Sequence, residues 1–365
     1  MSWFEAAARW YLVLAAVTWA FLPAVSWLCR PLADRGATLA RPMALLAAVY
    51  PAWLLASARM VPFSGFVVAA VVALAAVLGW ALLVGRRLAD PSWLRGLVLV
   101  DVVSLLLFGA YVWLRGYTPQ IVGTEKPMDI AFLASSTRAV TIPPPDPWFA
   151  GEPINYYYLG YLVHGTVSRL SGVPPEIGFN LALATVFSTT AVAAFGVAWN
   201  AVRPWLGQRS AAAAGLFALF AVVLSGNLYA PWRLMRDPSS TVSAWWWDSV
   251  AGIGWRSSRI VCDGARVDNR CPVPATETIN EFPFFSLLLG DLHPHLMALP
   301  FTVVAVGLAW NVALRVRDSG AADPGWLARV AISGAFVGSL YALNAWDLPA
   351  FLLLVAIGVW TGAGA

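Results

Sequence analysis

Acidic side chains and the chain's only lysine lie close together in one polar segment, residues 123–160, of an otherwise apolar sequence. Glu125 and Asp129 are four residues apart, so a helix would place both carboxylates on one face. Such a pair can bind a divalent cation, or one acid can act as a base that the other orients. The same spacing also suits a solvated helix start, where the helix dipole favours acids. Lys126 lies beside the pair and adds a positive charge.

The second half of this segment combines prolines with aromatic residues. Residues 143–145 are three consecutive prolines, which cannot continue a helix, so we expect a stiff, extended stretch that presents Asp146 and Trp148. Asn155 and the three tyrosines at 156–158 follow, and we expect them to begin a short helix at the membrane surface. Rings that carry hydroxyls can hold both the apolar tail and the polar head of a lipid. An ordinary aromatic belt at the headgroup level is the alternative interpretation.

A second polar cluster precedes a later apolar run and contains Glu281, Asp291, His293 and His295. Two of the three histidines in the chain are therefore two residues apart, beside an acid, and such residues can ligate a metal. The candidate ligands for Mg²⁺ or Mn²⁺ are Asp129, Asp291, His293 and His295. In the alternative interpretation, Asp291 caps the N-terminus of the next helix and has no role in chemistry.

The elements that must position these residues are membrane helices. The chain has 365 residues, of which 60% are hydrophobic and 12% charged, which is typical of an integral membrane protein. Crossing a hydrocarbon core of ~30 Å takes a helix of ~20 apolar residues. About nine runs qualify: 8–28, 42–61, 65–85, 96–114, 178–200, 211–230, 294–314, 329–346 and 348–363. We therefore predict an all-α, polytopic bundle.

The arginines predict how this bundle is oriented. Short cytoplasmic loops are enriched in basic residues, and arginines follow the first, third, fifth and seventh runs. These loops share one side only if the segment 156–171 does not cross, so we interpret it as an interfacial helix. The loops 115–177 and 231–293 then face outside. Cys262 and Cys271 lie in the second of them, where an oxidising compartment would permit a disulfide.

Composition also limits the partners and the domain organisation. The scattered arginines form no basic face, which argues against nucleic acid and leaves membrane lipid as the expected partner. The sequence ends in an apolar run followed by TGAGA, without a basic tail, which indicates a C-terminal truncation. We predict N-terminal transmembrane helices over 1–95 and a second membrane domain over 96–365.

Three motifs resemble a known family. EKPMD, PPPDPWFAGEPINYYYLG and EFPFFSLLLGDLHPH closely resemble the uncharacterised membrane proteins of the YYY domain, from about residue 96 onward. The same region is more distantly similar to membrane glycosyltransferases of the GT-C type, such as protein O-mannosyltransferases and aminoarabinose transferases. The GT-C resemblance implies a catalytic carboxylate at Asp129. Many such enzymes have adjacent acids, whereas Ile130 follows here, so Glu125 would be the second acid.

The resemblance implies a transferase that uses a polyprenyl-phosphate-linked sugar at the outer face of a prokaryotic inner membrane. Lys126 or Arg138 would stabilise the departing phosphate, and the tyrosines would hold the polyprenyl chain. Asp291 and His293 would line the opposite wall. A transporter, a lipid-binding protein or a non-catalytic subunit of a cell-envelope complex are the alternatives. Transporters place their sites near the midplane, where this sequence shows few charges.

Overall fold

The computed structural model describes residues 1–85, 91–236, 253–264, 271, 277–319 and 325–363. Within them the chain is mainly helical with almost no strand, as predicted. The helices are α1 (Trp3–Leu28), α2 (Ala40–Ser57), α3 (Gly65–Gly85), α4 (Pro91–Arg115), α5 (Lys126–Arg138), α6 (Leu159–Ser171), α7 (Pro175–Leu219), α8 (Tyr229–Arg236), α9 (Ile253–Ser257), α10 (Pro283–Leu289), α11 (Pro294–Ser319), α12 (Trp326–Gly338), α13 (Leu340–Asn344) and α14 (Asp347–Ala363). Two short strands, β1 (Val261–Cys262) and β2 (Glu277–Thr278), pair antiparallel.

Seven helices in the described ranges are long and apolar enough to cross a membrane, which confirms the predicted polytopic bundle. The fifth predicted run and the first part of the sixth are joined in α7, which is interrupted at Gly207 by a φ of 77°. A Cβ added at Gly215 would lie 2.6 Å from the Phe195 ring, so the chain folds back on itself after Gly207. The last predicted run corresponds to a shorter apolar helix, Asp347–Gly362.

The chain divides into two compact units. The first contains Met1–Leu219 and Leu292–Ala365, and the second contains Phe220–Asp291. In the second unit, Cys262 and Cys271 form a disulfide. The Glu281 carboxylate of the same unit lies 3.6 Å from Nη2 of Arg259. The candidate chemistry around Asp129 belongs to the first unit.

Helices α5 and α6 pack side by side in the first unit and run parallel. Tyr161, near the start of α6, contacts Asp129 near the start of α5, and Arg169 near the end of α6 contacts the carbonyl of Thr137. Gly165 allows this closeness, because a Cβ there would lie 2.9 Å from the Thr137 nitrogen. The 20 residues between α5 and α6, 139–158, therefore return the chain to the end of α5 at which that helix begins.

The structure corrects the expected interfacial helix at 156–171 in two respects. The helix begins at Leu159, so the tyrosine triplet precedes it. In addition, α6 is buried on nearly all sides, from Leu159 to Ser168, whereas an interfacial helix would expose one face. Small residues explain the difference: Gly160 and Gly165 allow neighbouring chains to approach α6 closely.

Arg41 is one of the arginines that follow the first predicted run and were expected in a cytoplasmic loop, and the structure corrects its position. It is the second residue of α2, and its side chain is buried against the carboxylate of Asp101 on α4. Its guanidinium also donates to the Tyr11 hydroxyl over 3.0 Å. An ionisable residue within a membrane span needs such a partner, and Arg41 supplies it for Asp101.

Candidate functional site

A tight turn precedes α5 and sets the direction of its first residues. Gly123 has a φ of 75° and Thr124 a φ of 51°, both in the left-handed region that glycine adopts at little cost. Pro127 follows in the first turn of α5, where its missing N–H is not needed. Glu125 is the N-cap residue, and Asp129 lies in the first turn, where the helix dipole stabilises an acid.

Asp129 lies inside the protein. Its side chain is fully buried, and its Oδ1 accepts a hydrogen bond of 2.5 Å from the Tyr161 hydroxyl. The Tyr161 ring also meets the Phe132 ring edge to face, with centroids 5.7 Å apart. Burying a carboxylate costs free energy unless polar groups bond to it. The Tyr161 hydroxyl on α6 therefore stabilises the Asp129 carboxylate on α5 and fixes its position.

His293 comes to the same place from the start of α11. Its carbonyl accepts from the backbone N–H groups of Leu296 and Met297, so it is the residue that opens this helix. A Cβ at Gly160 would lie only 3.0 Å from the Met297 side chain, so glycine is needed for α11 to come this close to α6. The close packing of these two helix starts brings His293 to Asp129.

The imidazole of His293 lies between the carboxylates of Glu125 and Asp129. Its Nε2 is 3.1 Å from Oε2 of Glu125, and its Nδ1 is 3.7 Å from Oδ1 of Asp129. The Tyr156 hydroxyl is also 3.1 Å from Nε2. We call these five residues, Glu125, Asp129, Tyr156, Tyr161 and His293, the Asp129 site. Glu125 is its accessible end, with 63% of the side chain exposed, and Asp129 is its buried end.

Two of the predicted metal ligands, Asp129 and His293, fit a shared cation. Carboxylate and imidazole ligands bind metals at roughly 2.0 to 2.2 Å. Two ligand atoms 3.7 Å apart can therefore contact one ion. Imidazole suits a transition metal and carboxylate suits Mg²⁺ or Mn²⁺, so of the two predicted ions this pair favours Mn²⁺. Such an ion would polarise a phosphate oxygen.

The other two predicted metal ligands, Asp291 and His295, are each two residues from His293 in the sequence. The His295 ring is 5.4 Å from that of His293, at the start of α11. Asp291 is the last residue of the second compact unit, where its backbone N–H donates to the Ser286 carbonyl after α10. Asp291 thus follows the end of α10, and His293, rather than Asp291, occupies the position before α11.

The two predicted phosphate-binding cations lie at opposite ends of α5. Lys126 is the first residue of the helix, is buried and is adjacent to Glu125. Arg138 is the last residue and is exposed. The two residues are twelve positions apart along the helix, a distance of about 18 Å. Lys126 is therefore the cation next to the Asp129 site.

The proline-rich stretch was expected to be extended, but it bends back into a hairpin with Pro145 opposite Pro153. Asp146 shapes its tip, because its Oδ1 accepts from the backbone N–H groups of Trp148 and Phe149. The Trp148 side chain is exposed there. Asp146 therefore has a structural role in this turn.

Of the tyrosine triplet, only Tyr156 belongs to the Asp129 site. Tyr157 contacts the Tyr156 ring, with centroids 5.4 Å apart, and Asn155 is exposed. The Tyr158 hydroxyl accepts from the indole N–H of Trp53 on α2, over 3.0 Å. Burial raises the pKa of Tyr158 from its usual value, so this residue stays neutral and ties the triplet to the bundle.

Tyr161 was not recognised from the sequence as a site residue. Its hydroxyl contacts Asp129 because α5 and α6 are parallel and in one particular register, which no local motif encodes. The closest signal was the position of Tyr161 one residue after Gly160, in a helix that was expected to lie on the membrane surface.

One protein family, described as "Uncharacterized membrane protein (DUF2298)", has a sequence model that matches residues 47–364. The chain belongs to this family. No curated protein and no solved structure matches the chain. Membership confirms the expected uncharacterised membrane family, and together with the apolar helices it establishes an integral, multi-pass membrane protein.

Proposed function

We propose that this DUF2298 protein is a glycosyltransferase that takes a sugar from a polyprenyl phosphate at the outer face of a prokaryotic inner membrane. The observation that carries the proposal is the buried carboxylate of Asp129, which Tyr161 and His293 hold beside the accessible Glu125. A carboxylate fixed in this way suits a general base. The more distant similarity of the same motifs to GT-C enzymes supports this choice of reaction.

In the proposed reaction, an acceptor hydroxyl attacks the anomeric carbon of the donor, and the bond from that carbon to the phosphate oxygen breaks. The hydroxyl proton passes to the carboxylate pair of Asp129 and Glu125, and the polyprenyl phosphate leaves with the bonding electrons. Glu125 meets the acceptor first, because its side chain is largely exposed. Lys126, next to Glu125, stabilises the phosphate charge. Asp129 and His293 would hold a Mn²⁺ ion, which would polarise a phosphate oxygen of the donor.

Asp129→Asn tests the proposal in purified protein reconstituted into lipid vesicles with a panel of polyprenyl-phosphate sugars. We expect the wild type to transfer sugar. The turnover rate of the variant should be lower by a factor of about 10² to 10⁴, which is the usual contribution of a positioned base. Asp146→Asn is the matched control, since asparagine can also make the turn at the hairpin tip. It should keep wild-type turnover.

Equal turnover in Asp129→Asn and wild type would exclude Asp129 as the base. Donor binding without turnover by the folded wild type would favour a lipid-binding or transport protein. Neither binding nor turnover would favour a non-catalytic cell-envelope subunit.

A further inference from the structure

A small polar cavity lies between α1, α2, α4 and α7 in the first compact unit. Its volume is about 20 Å³. Thr18 and Asp101 line it and lie near the middle of α1 and α4, both of which are candidate membrane spans. The cavity is therefore at the depth of the hydrocarbon core. Besides Trp19, its polar lining residues are Thr18, Thr38, Arg41, Asp101, Ser104 and Thr189.

The size of this cavity limits what it can bind. Pockets for organic ligands usually have volumes of about 300 to 1,000 Å³. A single water molecule needs only about 10 to 15 Å³ of cavity space, together with two to four polar partners. The cavity therefore excludes a sugar or a lipid chain and has the size of a site for one water molecule.

Arg41 offers this cavity a hydrogen-bond donor. Its Nη2 donates to the Asp101 carboxylate and, over 3.0 Å, to the Tyr11 hydroxyl, and its Nε donates to the Thr18 hydroxyl over 3.3 Å. The third nitrogen, Nη1, is buried and has no hydrogen-bond partner among the described residues. Leaving a buried N–H of a charged group unpaired costs free energy, which an acceptor in the cavity would recover.

Hydroxyl groups supply the other polar partners. The Ser104 side chain on α4 is buried, and its hydroxyl makes no hydrogen bond to any residue that the structure describes. The Thr189 hydroxyl donates to the Thr185 carbonyl over 2.5 Å, and the Thr38 hydroxyl donates to Asp34 over 2.6 Å. A hydroxyl that donates can still accept. The lining thus offers both donors and acceptors, as water requires.

The charges around the cavity favour a neutral occupant. The Arg41 guanidinium and the Asp101 carboxylate are paired and carry opposite charges. A cation in the cavity would be repelled by Arg41 at close range, and an anion would be repelled by Asp101. A small molecule without a net charge avoids both repulsions.

We propose that this cavity binds one water molecule, which accepts a hydrogen bond from Nη1 of Arg41 and bonds to the Ser104 hydroxyl. The water completes the hydrogen bonding of an ion pair that lies within the membrane spans, where bulk water is absent. It also links α2 to α4. The cavity shares no residue with the Asp129 site, so this proposal does not depend on the proposed transferase function.

Crystal structures of three proteins grown in a lipidic mesophase test the proposal: the wild type, Ser104→Val and Gly109→Ala. We expect one density peak in the wild-type cavity, at about 2.7 to 3.2 Å from Nη1 of Arg41. Ser104→Val should lose the peak, because two methyl groups replace the hydroxyl and occupy the space. Gly109→Ala is the matched control and should keep it, since nothing lies within 4 Å of a Cβ added at this position of α4.

A wild-type cavity without the peak would overturn the proposal, and so would a peak that persists in Ser104→Val. Crystals soaked in bromide or rubidium salts test for an ion. We expect no anomalous signal in the cavity, and such a signal would identify an ion in place of water.

Radiolytic labelling of the wild type in lipid vesicles decides the matter if Ser104→Val does not fold. X-rays convert a bound water molecule into hydroxyl radicals, which oxidise the side chains next to it. We expect Leu97, a buried residue that lines the cavity, to be oxidised faster than Leu181, a buried leucine of α7 outside the lining. Equal rates of oxidation, measured by mass spectrometry, would contradict a bound water.

Discussion

At the scale of single residues, Tyr161 is the contact of the Asp129 site that can be tested most directly. Tyr161→Phe removes one hydrogen bond from a buried carboxylate and changes nothing else in size. We expect the free energy of unfolding to fall by about 1 to 3 kcal/mol, the usual cost of depriving a buried polar group of a partner. Thermal unfolding in detergent measures this loss.

Tyr157→Phe is the control, because the Tyr157 hydroxyl makes no hydrogen bond to any residue that the structure describes. It should unfold at the wild-type temperature. A Tyr161→Phe protein as stable as the control would mean that the contact with Asp129 contributes little to folding.

His164 predicts a dependence of stability on pH. Burial in α6 lowers the pKa of its imidazole to about 4, and neither ring nitrogen has a hydrogen-bond partner among the described residues. In the unfolded chain the pKa is about 6.5, so below that pH the unfolded state binds a proton that the folded state does not. The contribution of His164 is therefore complete above pH 6.5 and is lost as the pH falls to about 4.

A variant that cannot titrate, His164→Leu, should lose less stability than the wild type between pH 7 and pH 4. Unfolding temperatures across this range measure the difference between the two proteins. Parallel curves would contradict a neutral, buried His164.

At the scale of elements, most helices could be predicted from the sequence and the packing of α6 could not. Apolar runs of about 20 residues determine the membrane helices, because lipid forces each one to satisfy its own backbone. The position of α6 depends instead on Gly160 and Gly165. The close packing that these glycines allow can be recognised only when the residues packed against them are known. Glu125, Asp129 and His293 were recognised from residue type, whereas Tyr161 depends on the register between α5 and α6.

Arg169 is expected to hold the end of α5 in place. Its guanidinium donates to the carbonyls of Thr137 and Ala139 over 2.6 and 2.7 Å, and to that of Phe63 over 3.5 Å. A lysine ammonium cannot reproduce this planar fork. We expect Arg169→Lys to lower the free energy of unfolding by about 1 to 3 kcal/mol.

Thermal unfolding again provides the measurement, with Arg138→Lys as the matched control on the exposed end of α5. That change should alter stability by no more than about 0.5 kcal/mol. Equal effects of the two substitutions would show that the contacts of Arg169 add nothing beyond its charge.

At the scale of the whole molecule, the proposed location of the Asp129 site depends on topology. The arginine-rich loops predict that the hairpin at 143–154 faces outside and that the turn at Gly207 faces the cytoplasm. Two variants that each add one cysteine, Glu152→Cys and Arg209→Cys, test this topology, because both positions are exposed. The native cysteines are silent, since Cys29 is buried and the others form a disulfide.

A maleimide that cannot cross membranes should label Glu152→Cys in intact cells, and Arg209→Cys only after the membrane is made permeable. The opposite pattern would place the Asp129 site at the cytoplasmic face and rule out an outer-face transferase.

The parallel arrangement of α5 and α6 also limits how this family can change in length. Asp129 and Thr137 are eight residues apart on α5, and their partners Tyr161 and Arg169 are eight residues apart on α6. Inserting one residue between Asp129 and Thr137 alone, or between Tyr161 and Arg169 alone, would rotate one of the contacting residues by about 100° away from its partner. Only equal insertions in both helices would keep both contacts aligned. We therefore expect the lengths of these two helix segments to vary together or not at all.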